Sequence, residues 1–152
     1  MRLSHLIVVY LLALAPGCAG GRGAKSNLSA ESKEHQLLSD SARLYWEAVR
    51  WTDSERAGAF IEDAELRVLY RDWLEEHIET HKMEDAKILQ AVLGPEQKAS
   101  EDGWLQTGTV YIRTKGYSYP AQIVENDRVT QGWYRSVNGW FVDWQLPEAD
   151  EE

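Results

Sequence analysis

Asn138-Gly139 stands between two runs of alternating apolar residues, and few dipeptides restrict a fold as tightly. Both residues tolerate φ > 0, as a two-residue type I′ turn requires, and that turn twists in step with the strands it joins. The stretch RVTQGWYRSVNGWFVDWQL, Arg128 to Leu146, therefore reads as a β-hairpin carrying three of the seven tryptophans. On its second arm Trp140, Val142, Trp144 and Leu146 alternate with Phe141, Asp143 and Gln145, so one face is apolar throughout. On the first arm Val129, Trp133 and Val137 share a face, interrupted by Gln131 and Arg135. A hairpin does not hold such a face alone in water, so the rest of the chain must cover it.

The cover is legible upstream as three helices. Leu38, Ala42, Tyr45 and Val49 recur at helical spacing, widened by Trp46, and this pattern runs out near Trp51. Thr52 or Asp53 caps a second helix, with Glu55 placed for a capping box and Ala57, Phe60, Ile61 and Ala64 on its buried edge. A third helix is expected over 64–81, its stripe made by Leu66, Leu69, Tyr70, Trp73, Leu74 and Ile78. Strands follow: Ala86 to Leu93 ended by Gly94-Pro95, a loop over 96–102, Trp104 to Thr114 turned by Lys115-Gly116, and Tyr119 to Glu125 turned by Asn126-Asp127. With 152 residues, 43% of them hydrophobic, one core suffices. Helices segregated from a consecutive run of strands predict an α+β domain over 37–147, three helices packed on a curved, mainly antiparallel sheet of four to five strands.

The amino terminus is of another kind. After Arg2 comes the uncharged apolar run Leu6 to Leu14, shorter than the roughly 20 residues a bilayer span needs and suited to a signal segment over 1–17. Ala15-Pro16-Gly17-Cys18 then resembles the lipobox of bacterial lipoproteins, which implies that Cys18 is lipidated and begins the mature chain. Cys18 is the single cysteine, and lipidation accounts for a thiol with no disulfide partner. The alternative is an ordinary secretory signal with a chance cysteine. Residues 18–36 are small and polar and read as a tether, and 148–152 as an acidic tail. From Cys18 onward fifteen basic and twenty-five acidic residues give a formal charge of −10. That balance argues against nucleic acid and against attraction to anionic headgroups, so the expected membrane contact is the acyl anchor at Cys18. By the same resemblance, Ala19 in place of aspartate points to the outer membrane.

From about Ser39 to Leu146 the chain also resembles the NTF2-like, or SnoaL-like, superfamily. The resemblance rests on the order of elements, the aromatic first helix SARLYWEAV, and the closing pattern Gln131-Gly132-Trp133-Tyr134-Arg135 then Asn138-Gly139-Trp140. It implies a conical cavity between helices and sheet. The residues expected around it are Tyr45, Trp46, Trp73, Trp133 and Trp140, against the plainer reading that these aromatics fill the core. His77 and His81 are the catalytic candidates, as general bases near neutral pH. The preferred reading is that they close the last helical turn, because no orienting partner is identifiable. Their i,i+4 spacing would suit a metal, yet Ile78 stands where the zinc-protease motif has glutamate, so neither metal nor cofactor is expected. The reading is a lipid-anchored envelope domain that binds another envelope protein or a small apolar ligand, with a small lyase, isomerase or hydrolase using His77 as the rival.

Overall fold

A computed structural model describes residues 22–96, 103, 105–121 and 123–147. The signal segment, Cys18, Trp104 and the acidic tail lie outside the described residues. Helices α1 (Arg22–Arg50), α2 (Ser54–Gly58) and α3 (Ala64–Thr80) precede strands β1 (His81–Glu96), β2 (Gln106–Ser118), β3 (Ile123–Ser136) and β4 (Gly139–Val142). The strands form one antiparallel sheet in the order β1-β2-β3-β4. The α+β architecture is the expected one. Register shifts between Met83 and Asp85, Ile88 and Gln90, and Leu93 and Glu96 place irregularities along β1, and bulges of this kind bend a sheet so that it wraps the helices.

The core follows from two periodicities. Leu38, Ala42, Tyr45 and Trp46 on α1 are buried, as their helical spacing requires. On β2, Gln106, Gly108, Val110, Ile112 and Thr114 point inward while Tyr111, Arg113 and Lys115 point out. Trp133 of β3 lies at the centre with 1% of its surface exposed, edge-on to Tyr45 and Phe60. Trp140 and Val142 of β4 are buried and Phe141 less so, as the alternation predicts.

Several local expectations are corrected. The hairpin pairs Ser136 with Gly139, so its loop is Val137-Asn138, one residue earlier than the dipeptide signal suggests. Gly139 carries the positive φ, +137°, while Asn138 does not take one. Side-chain bonds override the intrinsic preference of Asn-Gly: Ser136 Oγ and Asn138 Nδ2 both donate to Glu62 Oε1, at 2.6 and 3.0 Å, and the Asn138 N–H donates to Ser136 Oγ at 3.1 Å. Val137 is thereby turned out and is 84% exposed rather than sharing a face with Trp133.

Residues 22–36, expected as a tether, lie in α1. Arg135 Nη1 donates to Glu34 Oε1 at 3.2 Å, and His35 Nε2 hydrogen-bonds the Ala91 carbonyl at 3.0 Å, so long-range contacts hold what the local composition does not. Asp53, with its side chain accepting from the Arg56 N–H, caps α2, and Thr52 stands outside it with φ +58°. Leu66 and Leu69 are exposed, because α3 presents Tyr70 and Leu74 to the core and turns its first turns partly away. Lys115-Gly116 and Asn126-Asp127 are interior to β2 and β3, with Lys115 paired to Asn126 and Gly116 to Glu125. The two expected turns therefore vanish into long strands, and the described residues form four strands, within the expected four to five. At Gly116 an added Cβ would stand 2.6 Å from the Lys82 carbonyl oxygen, so this glycine serves the close approach of β1, not a turn.

Candidate functional site

Between the C-terminal halves of α1 and α3 and one end of the sheet lies a cavity of about 260 Å³. Helix α1 contributes Tyr45, Trp46 and Val49, and α3 contributes Tyr70, Trp73, Leu74, His77 and Ile78. The floor comes from His81, Lys82 and Met83 of β1, Thr114 to Tyr117 of β2, and Glu125, Asp127 and Val129 of β3. Strand register explains the grouping, since Lys82 pairs with Tyr117, Met83 with Gly116 and Thr114 with Asp127.

One wall is a column of three parallel rings. Trp73 stacks on His77 at 5.0 Å with 12° between planes, and His77 stacks on His81 at 4.2 Å with 6°. This arises at an abrupt junction. His81 is not in the last helical turn as expected; it caps α3 through its N–H to the His77 carbonyl and is the first residue of β1. The Thr80 hydroxyl donates to the same carbonyl at 3.2 Å and lies 2.8 Å from His81 Nδ1. Burial of its ring, and then the neighbouring His81, hold the His77 pKa below the usual histidine range. No carboxylate hydrogen-bonds either imidazole among the described residues, although Glu125 and Asp127 share the cavity. Lys115 at the rim is paired with Glu84 at 2.6 Å, a contact that raises its pKa.

The opposite wall is apolar above a buried polar knot. Trp46 Nε1 and Trp133 Nε1 both donate to Gln131 Oε1, at 3.0 and 3.1 Å, and Tyr70 donates to the Tyr45 hydroxyl at 2.8 Å. Burial pushes both phenols well above the ordinary tyrosine range.

Of the expected cavity residues, Tyr45, Trp46 and Trp73 line it. Trp133 and Trp140 do not: Trp133 is sealed among Tyr45 and Phe60, and Trp140 fills the space that Gly108 leaves bare. His77 and His81 are both brought to the cavity. The strand residues Lys82, Tyr117 and Asp127 escape sequence reasoning, because β1 begins earlier than expected and Lys-Gly and Asn-Asp resemble turns; Thr114 and Glu125 lie in expected strands but are not singled out there. A continuous β reading of residues 106–118 would have carried the strand through Lys115-Gly116 to Tyr117.

No protein-family model and no curated protein matches the chain. Solved structures do. A SEC-C motif containing protein from Rhodopseudomonas palustris is similar at 16% identity with a TM-score of 0.53, over 78% of this chain and 84% of that one. A ketosteroid isomerase-like protein from Erwinia carotovora atroseptica is similar at 14% identity with a TM-score of 0.52, over 72% of this chain and 91% of that one. Helices laid on a bent four-stranded antiparallel sheet, together with that second likeness, identify the fold of this chain as the NTF2-like α+β fold.

Proposed function

We propose that the chain is a lipid-anchored cell-envelope protein whose domain binds a small, mainly apolar ligand without transforming it. The supporting observation is the cavity itself, roomy enough for a small organic molecule and walled by Tyr45, Trp46, Trp73, Leu74 and Ile78. A working general base wants a group that orients it, and the two imidazoles are held by ring stacking and by Thr80, not by a carboxylate. Anchoring rests on the apolar run, the Ala15-Pro16-Gly17-Cys18 resemblance and an acidic charge that offers headgroups no attraction. Among the described residues no helix is long and apolar enough to cross a membrane.

Two measurements test this. Cys18→Ser is expected to leave the membrane fraction and to lose the mobility of an acylated chain; a variant still membrane-bound with unchanged mobility refutes the anchor. Native mass spectrometry of protein extracted from envelopes is expected to show a bound small molecule that His77→Ala still retains intact.

The competing reading is an enzyme with His77 or His81 as base. The presence of both imidazoles in one cavity with Glu125 and Asp127 favours it. A turnover found by screening and abolished in His77→Ala would establish it over the binding module.

A further inference from the structure

Two phenols line the cavity, with one proton more than the described residues accept. The hydroxyls of Tyr45 and Tyr70 are buried and 2.8 Å apart. Gln131 reaches the same point from β3, and its oxygen accepts from two indoles, Trp46 and Trp133. Indole nitrogens only donate, so the amide oxygen is the end of Gln131 that faces the two tryptophans. One phenol proton lies in the bond between the two oxygens. The other has no acceptor among the described residues, whichever phenol donates within the pair. It is Tyr45's when Tyr70 donates, as here, and Tyr70's otherwise. A buried donor left without a partner is costly, and the two residues that carry it both line the cavity.

We infer that the cavity selects a small apolar molecule bearing one hydrogen-bond acceptor, such as a ring nitrogen or an ether or carbonyl oxygen, seated against the Tyr45–Tyr70 pair. This rests on the binding reading above and names the chemistry of the ligand at that same site. A hydrocarbon end would leave the proton unpaired. A full charge leading into the cavity would be stripped of water against Trp46 and Leu74.

Quinoline and naphthalene make the matched probes, having one shape and differing by a single acceptor nitrogen. Each is titrated at neutral pH into the wild-type protein, Tyr45→Phe, Tyr70→Phe and the double variant, following the indole N–H resonances of Trp46 and Trp133. Naphthalene is expected to bind all four within about twofold, which also shows that the variants fold. Quinoline is expected to bind the wild type and both single variants alike, because each single variant retains one unspent O–H proton, and to weaken about three- to tenfold in the double variant, the worth of one hydrogen bond. Undiminished quinoline binding by the double variant overturns the inference, as does a full loss already in either single variant. If naphthalene does not bind the wild type at all, the binding reading itself fails and the inference falls with it.

Discussion

Trp140 and Phe141 are neighbours on β4 with opposite surroundings, and they offer the sharpest test of the last strand. Trp140 packs over Gly108 with 5% of its surface exposed, whereas Phe141 meets Tyr134 on the outer face. Trp140→Ala is expected to cost about 3–5 kcal/mol in urea titrations and Phe141→Ala clearly less; equal losses would mean the strand faces are reversed. Gly116→Ala should cost about 1–3 kcal/mol, because the atom met by the new methyl is the Lys82 carbonyl oxygen, which has no side-chain freedom to yield. His77 bears on pH. Its folded pKa lies below the unfolded value near about 6.5, so folding favours neutral imidazole, and the contribution present above that pH is lost as acid drives it toward the folded pKa. Acidification from neutral pH is therefore expected to lower the Tm of the wild type more than that of His77→Gln, and identical falls would contradict the account.

At the level of elements, α3 shows why some of this fold could be read directly and some could not. Its start is written locally: Asp63 accepts from the N–H groups of Glu65 and Leu66 at 2.9 and 2.8 Å, and the helix begins at Ala64 as expected. Asp63→Ala should cost about 0.5–2 kcal/mol in thermal or denaturant unfolding, the usual worth of an N-cap. Its end is written non-locally, since His81 leaves the helix to pair with Ser118 of β2, thirty-seven positions away in the numbering. Tyr45, Trp46, Tyr70 and Trp73 were legible as inward-facing through their spacing alone. Which of the aromatics reach a cavity and which are sealed was not, because that depends on where facing elements leave room: Gly108 makes space that Trp140 fills, whereas Trp73 lines the cavity. The polar floor was lost to composition, with Lys115-Gly116 and Asn126-Asp127 mimicking turns that a thirteen-residue β2 overrides.

For the molecule as a whole, sheet and helices depend on each other in one place more than elsewhere. Strand β1 is sixteen residues long, lies at the edge of the sheet, and exposes Leu89 and Val92. The upstream part of α1 crosses it, with His35 bonded to the Ala91 carbonyl and Glu34 bonded to Arg135. Edge strands of that length and apolar content template the addition of further strands from other chains unless something obstructs them. At Ala91 the His35 side chain occupies one carbonyl of this edge strand. A chain shortened to begin after residue 36 would keep Leu38, Ala42 and Tyr45 in its core and still fold, but should associate through β1 in proportion to its concentration, seen as rising light scattering, while Glu34→Gln alone should not. Molecules held side by side on a surface meet far more often than molecules in dilute solution, so in the envelope setting proposed above this obstructing helix would keep a crowded population of such domains as separate, individually ligand-accessible units.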